Sequence, residues 1–219
     1  VRGFAEQITD LLVRDHGVKL LIVACNTAAA AGLDRLQDRV DIPVLGVIEP
    51  GVRSLARASN SGRAGVIGTV GTIGSGAYQR AVAELAPDLE LTCAACPGFV
   101  EFVERGDTRS DQVTVLAERL LAPVRDAKVD ALLLGCTHYP FLARTISDVM
   151  GREVVLVDSA DETAFEVRAL LTGSELARSP AAGAGTHRWL SSGDVDTFRE
   201  LGGRLLGPEL AAAEPVTWD

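Results

Sequence analysis

Two stretches constrain this chain more than anything else in it. In each, a run of apolar residues ends in a cysteine followed by small hydrogen-bonding residues. Val129 to Pro140 reads VDALLLGCTHYP, and Lys19 to Ala31 reads KLLIVACNTAAAA. The run Ala131 to Leu134 has the composition of a strand buried on both faces, as in a parallel sheet covered by helices. Leu20 to Ala24 predicts a second such strand, leading into a helix-favouring alanine run. In open α/β sheets, ligands sit beyond the carboxyl ends of the strands. Cys25, Asn26 and Thr27 fall at one such end, and Cys136, Thr137 and His138 at another. Pro140 predicts an extended Tyr139. The two cysteines are more than a hundred positions apart. That is too far for a local zinc motif, but it suits two halves of a pseudo-symmetric protein facing one another.

The rest of the chain alternates strand and helix. Val1 to His16 carries apolar residues at helical spacing and stops at Gly17. A helix is expected over Ala28 to Val40, and a strand over Val44 to Ile48 that is broken by Glu49-Pro50-Gly51. Another helix begins at Val52. Ala64 to Ile67 predicts a strand, Thr72 to Leu85 a helix and Leu89 to Ala94 a strand. Pro97 to Arg105 is short and apolar on one side. Asp111 to Ala127 predicts a helix interrupted near Pro123, and Phe141 to Met150 another. Val154 to Val157 predicts a strand, Glu162 to Leu171 a helix, and Gly173 to Gly185 a loop. His187 to Ser191 predicts a strand and Val195 to Leu206 a last helix. Such alternation argues for parallel sheets with helices on both faces. Pro50 and the strand end near Asp158 are the expected crossings between domains. A first helix that feeds a buried parallel strand normally follows an earlier strand, so an N-terminal strand is expected to be missing here.

Composition excludes several classes. A net charge of −9 lacks the basic excess of a nucleic-acid binder. No apolar run reaches the length of a membrane span, and no charged-then-apolar leader opens the chain. Four cysteines without dense spacing do not make a disulfide scaffold. These features point to a cytoplasmic protein acting on a small molecule, with no nucleic-acid or membrane partner. A homodimer is one arrangement open to it.

CNTA at Cys25 to Ala28 and GCTHYP at Gly135 to Pro140 resemble the motifs of glutamate racemases. So do Gly65 to Tyr78, GVIGTVGTIGSGAY, and Phe99 to Gly106, FVEFVERG, with order and spacing matching from Val1 to near Pro208. The resemblance implies an α/β fold of two pseudo-symmetric domains with mostly parallel sheets flanked by helices, and an active site in the cleft between them. Residues 1–49 with 158–219 would form the first domain and residues 50–157 the second. It further implies interconversion of L- and D-glutamate without cofactor or metal, supplying D-glutamate for peptidoglycan. The family opens with a strand and an Asp-Ser-Gly-rich loop that this chain does not contain. The aspartate of that loop serves one cysteine in the family, so little activity is expected of these 219 residues alone.

The chemistry is coherent on its own terms. Inverting an α-carbon without an imine needs a base on one face and an acid on the other, and two cysteines across a cleft supply them. A free thiol ionises at about 8.5, so the thiolate needs help at neutral pH. An α-carbon held between both sulfurs requires about 7 to 8 Å between them. By resemblance, Cys136 takes the proton from L-glutamate and Cys25 from D-glutamate. His138 assists Cys136, and Glu104 sets the tautomer and charge of His138. Asn26, Thr27 and Thr137 are expected to bind substrate, near helix N-termini that favour a carboxylate, and the resemblance implies the same for Thr69 and Thr72.

Blander roles stand beside these. Either cysteine alone could be a small buried hydrophobe, and Thr69 and Thr72 could be helix caps. Cys93 and Cys96 form a CxxC without a second pair nearby and are expected to pack. His16 and His187 are expected to be structural or surface residues. A racemase of aspartate or another amino acid, and an inactive amino-acid-binding form, are the alternative functions. The histidine after Cys-Thr favours glutamate.

Overall fold

The computed structural model describes residues 1–210 and 212–218. It divides into two compact units, Val1–Leu176 and Ala177–Asp219. The first unit carries the parallel α/β architecture expected from the alternation. Helix α1 (Arg2–Asp10) continues into a π-helical turn, Leu11–Asp15. Strand β1 (Leu21–Val23) then pairs in parallel with β2 (Val44–Gly46) across α2 (Asn26–Arg39). A four-stranded parallel sheet follows, built from β3 (Arg63–Gly68), β4 (Glu90–Ala95), β5 (Ala131–Gly135) and β6 (Val155–Val157). Its spatial order is β4-β3-β5-β6. The chain therefore leaves β3 in one direction to make β4, then returns to the other side of β3 to make β5. That reversal creates a switch point between β3 and β5, where α/β sheets open a crevice at their carboxyl ends.

The apolar runs behave as their composition requires. All five residues of β5 are buried, as are the last five of β3. Helix α3 (Ile48–Ala58) joins the two sheets: its Ile48, Val52 and Leu55 share one core with Leu21, Val23 and Val44 on the small sheet and Val66, Ala131 and Leu133 on the large one. Arg53 and Arg57 on its outer face pair with Glu166 and Glu162 of α10 (Ala160–Thr172).

Glu49-Pro50-Gly51 does not break the chain as its composition predicts. The strand ends at Gly46, and the three residues lie in the first turn of α3. Proline is tolerated there because first-turn N–H groups have no intrahelical partner. Gly51 lets α3 pack closely on β5: a Cβ on it would stand 3.1 Å from Leu133 Cδ2. Two further expectations change. The helix predicted over Thr72 to Leu85 is two helices, α4 (Val70–Gly74) and α5 (Ala77–Leu85), parted by Gly76 at φ 71°. Tyr139 is not extended but opens a 3-10 turn, Tyr139–Leu142, ahead of α9 (Ala143–Met150). Its ring is fully buried, edge-on to Phe99 with centroids 5.3 Å apart, and its hydroxyl donates to the Cys96 carbonyl at 3.1 Å. These contacts outweigh the local preference set by Pro140.

Between β4 and β5 come α6 (Phe99–Glu104), α7 (Asp111–Leu120) and α8 (Ala122–Asp126). At the far end of the large sheet, Asp130 ties the turn before β3 to the start of β5. It accepts from Ser59 Oγ at 2.6 Å and from the N–H groups of Asn60 and Ser61 at 2.8 and 2.6 Å. Burial pushes its carboxyl up, but these bonds more than offset that and hold it at about 2.

The second unit is small. Strand β7 (Leu190–Ser191) pairs in parallel with β8 (Glu214–Pro215), with α11 (Val195–Leu206) between them in sequence. The strand predicted over His187 to Ser191 is thus two residues long. Asp194 caps α11 by accepting from the Thr197 N–H at 2.7 Å, and Trp189 Nε1 donates to the Glu209 carbonyl at 3.1 Å. Among the described residues, no helix is long and apolar enough to cross a membrane.

Candidate active site

Three strand ends supply the candidate residues. β1 ends two residues before Cys25, whose extended backbone makes it the N-cap residue of α2. Cys25 is exposed, while Asn26, the first helical residue, is buried. The alanines that follow favour a helix here, and its first N–H groups are left unsatisfied.

β3 leads directly into α4. Thr69 is its N-cap, and the Thr69 hydroxyl accepts from the Thr72 N–H at 3.2 Å. Thr69 is therefore a cap, as its position allows, but its oxygen has further neighbours. Thr27 Oγ1 lies 2.9 Å from Thr69 Oγ1 and 3.0 Å from Thr72 Oγ1, and those two lie 3.0 Å apart. A hydroxyl can donate once and accept twice, so the triangle can close on itself. It also leaves lone pairs or, by rotation, protons for a ligand. The start of α2 and the start of α4 are thereby joined across the gap between the two sheets.

β5 delivers Cys136, Thr137 and His138. Cys136 is nearly buried, at 9% exposure. Its Sγ stands 3.9 Å from His138 Nδ1, and His138 Nε2 stands 3.4 Å from Glu104 Oε1 at the end of α6. Thr137 Oγ1 is 3.4 Å from the same Nδ1. Glu104, His138 and Cys136 therefore form a chain in which the carboxylate favours a proton on Nε2 and leaves Nδ1 facing the sulfur. Burial pushes the Cys136 thiol up and Cys25 adds to this, while the N–H groups of His138 and Tyr139 oppose it. Ala24 and Thr137, each next in sequence to one of the two cysteines, line one groove, although they follow strands of different sheets.

All nine residues singled out in the sequence lie in the first unit. Thr27, Thr69 and Thr72 meet one another, and Cys136, Thr137, His138 and Glu104 form a second cluster. Asn26 bonds not to these but to Tyr78, whose hydroxyl donates to Asn26 Oδ1 at 2.5 Å. Tyr78 is the residue that reading the sequence missed. Its only signal was its place at the end of GVIGTVGTIGSGAY, in a helix where a tyrosine looks like ordinary core. Cys93 and Cys96 stand apart on and after β4, and burial pushes their thiols up to about 11 and about 12. His187 stacks edge-on with Trp189 in the second unit. Among the described residues no three His, Cys, Asp or Glu side chains are grouped as metal ligands. A mostly apolar groove of about 630 Å³ adjoins the site, lined by Ala24 and Thr137 together with Val47, Thr163 and Val167.

Comparison with known proteins interprets this arrangement. Residues 2–167 match the family model for Asp/Glu/Hydantoin racemase. A glutamate racemase from Acidothermus cellulolyticus is 49% identical over 210 residues, covering 96% of this chain and 79% of that one. The chain belongs to the glutamate racemase family. Another glutamate racemase, from Mycobacterium tuberculosis, is 48% identical over 216 residues, covering 99% of this chain and 79% of its own length. Solved glutamate racemases share the backbone. The isoform RacE1 from Bacillus anthracis superposes with a TM-score of 0.91 at 37% identity, over 99% of this chain and 80% of that one. The enzyme from Francisella tularensis, solved in complex with D-glutamate, superposes with a TM-score of 0.90 at 31% identity, over 99% of this chain and 80% of that one.

Proposed function

We propose that this protein interconverts L- and D-glutamate by moving the α-proton between two cysteines. The observation that carries the reading is Cys136 backed by His138 and Glu104 at one strand end, together with the hydroxyls of Thr27, Thr69 and Thr72 joined between two helix starts, the first of which has Cys25 as its N-cap. Membership in a family whose relatives are named glutamate racemase supports glutamate as the substrate. With L-glutamate bound, the Cys136 thiolate takes the α-proton: the C–H bond breaks and an S–H bond forms. The Cys25 thiol then gives its proton to the opposite face of the carbanion and is left as thiolate. Running the steps backwards converts D-glutamate. The hydroxyls of Thr27, Thr69, Thr72 and Thr137 and the amide of Asn26 are assigned to the substrate's carboxylates and ammonium. The negative charge that builds at the α-carbon is spread into the α-carboxylate, which donors held in place stabilise. His138 holds or releases a proton beside Cys136, easing formation of the thiolate that burial disfavours. The D-glutamate formed would serve peptidoglycan synthesis in the cytoplasm.

Circular dichroism with single enantiomers of glutamate, aspartate and other amino acids tests the substrate. Glutamate should lose its optical activity at least about a hundredfold faster than aspartate, a ratio within reach of side-chain discrimination in a polar site. In a protein spanning the full length of its relatives, binding of glutamate without loss of optical activity would mean a binding protein and sink the racemase reading.

The same assay tests the role of His138. His138→Asn should lower kcat from L-glutamate by about 10² or more, with KM nearly unchanged, because an imidazole that tunes the thiol acts on the proton transfer and not on binding. A raised KM with intact kcat would instead make His138 a binding residue.

A further inference from the structure

Tyr78 is fully buried in α5, yet it touches both cysteine-bearing strand ends. Its hydroxyl donates to Oδ1 of Asn26, the residue after Cys25, at 2.5 Å. Its ring edge lies against Gly135, the residue before Cys136: a Cβ on Gly135 would stand 3.1 Å from Tyr78 Cε2 and 3.2 Å from its Oη. Burial pushes the phenol up, and the nearby Cys136 and Cys93 add to this, so it remains a protonated donor across the working pH range. A neutral amide offers one acceptor oxygen and two donor hydrogens on opposite sides. With Oδ1 turned toward a phenol that can donate, the Asn26 side chain presents its N–H groups on the opposite side, where they can meet a ligand. Turned over, it would set its carbonyl oxygen toward a carboxylate and its N–H₂ against the phenol.

We infer that Tyr78 is a positioning residue that locks the Asn26 amide with its N–H donors toward a carboxylate of the substrate. The substrate part of this inference rests on the racemase reading above, whereas the locking of the amide does not. The hydroxyl acts through Asn26 and touches no reacting atom. Its expected signature is on binding: it should change KM far more than kcat.

The test is a cycle of Tyr78→Phe, Asn26→Ala and the double variant, with two readouts. In kinetics, Tyr78→Phe keeps the ring and removes only the hydroxyl. It should raise KM for both enantiomers about tenfold, as loss of one hydrogen bond to a binding group allows, with kcat changed much less. In the Asn26→Ala background the same change should cost less than about twofold, because the group it positions is gone. The second readout is the Asn26 side-chain amide pair in nitrogen-15 NMR spectra, identified by its absence in Asn26→Ala. In Tyr78→Phe this pair should shift and exchange its protons with water faster.

Equal losses of Tyr78→Phe in both backgrounds, or an amide pair that does not move, would overturn the inference. If the parent protein neither racemises nor binds glutamate, the functional reading fails while the amide spectrum still decides whether Tyr78 orients Asn26. Should Tyr78→Phe fail to fold, Asn26→Asp serves in its place. The carboxylate this substitution introduces can still accept from Tyr78 but offers no donors, so the variant should keep the melting temperature and weaken glutamate binding more than tenfold. Unchanged binding in that variant would also overturn the inference.

Discussion

Replacing Cys136 by alanine is expected to abolish α-proton exchange that starts from L-glutamate while leaving a measurable rate from D-glutamate. Cys25→Ala should do the reverse. A two-base site puts one thiol on each face of the α-carbon, so each variant retains the base for one enantiomer only. Net racemisation needs both thiols and should vanish in either variant. Wash-in of deuterium from solvent isolates the surviving half-reaction: the remaining cysteine removes the α-proton and returns a deuteron to the same face. The loss from the affected enantiomer should reach about 10² to 10⁴, the usual contribution of a positioned base. The two directions should also differ in their response to pH. Burial pushes the Cys136 thiol up, so its thiolate becomes more populated as pH rises. Exchange from L-glutamate should therefore keep climbing into the alkaline range, and His138→Asn should steepen that dependence. Equal losses from both enantiomers in both variants would mean that one cysteine does all the chemistry or that neither does.

The second large effect is expected at Gly135. This glycine closes β5 and sits one residue before Cys136, in register with Gly68 on β3. A Cβ there would stand 2.7 Å from the Ile67 carbonyl oxygen, as well as against the Tyr78 ring. The first of these neighbours is backbone in the middle of a sheet, so it cannot swing aside as a long side chain would. Gly135→Ala must therefore push β5 away from β3 or displace the turn that carries Cys136. Overpacking of this kind costs about 1 to 3 kcal/mol. For a chain of this size that lowers the melting temperature by about 3 to 10 °C. Activity should fall further than stability suggests. A displacement of the sulfur by about 1 Å takes it out of attack distance and costs about a hundredfold. Thermal unfolding and kcat/KM measured together would show both effects. A variant with kcat/KM within twofold of the parent would mean that this strand end does not locate the thiol.

The sequence by itself determined the class of fold and the placement of the cysteine motifs. Strands buried on both faces must be continuous apolar runs, and ALLLG in β5 is such a run. The ends of such runs are equally local, marked by Gly135 before Cys136 and by the passage from LLIVA into Asn26 and an alanine run after Cys25, which is why both cysteines could be assigned to strand ends. Caps are also local: Thr69 and Thr72 are three residues apart, and their bond is legible from that spacing. Local chemistry misled where a distant partner outweighed it. Glu49-Pro50-Gly51 looks like a break, but it is a helix start pressed against Leu133, and Tyr139 turns despite Pro140 because Phe99 and the Cys96 carbonyl hold it.

What only the tertiary structure decided are relations between residues far apart in sequence. The order β4-β3-β5-β6, and with it the crevice between β3 and β5, depends on which strand edges find each other, and no periodicity within a strand records that. Glu104 meets His138 because α6 packs beside the turn after β5. Thr27 meets Thr69 and Thr72 across two sheets, and Tyr78 links Asn26 to Gly135. Each of these contacts joins residues at least 34 positions apart in sequence, the shortest being Glu104 to His138. Their geometry is set by how the sheets and helices pack, because a hydrogen bond acts over about 3 Å and gives no trace in the local pattern of either partner.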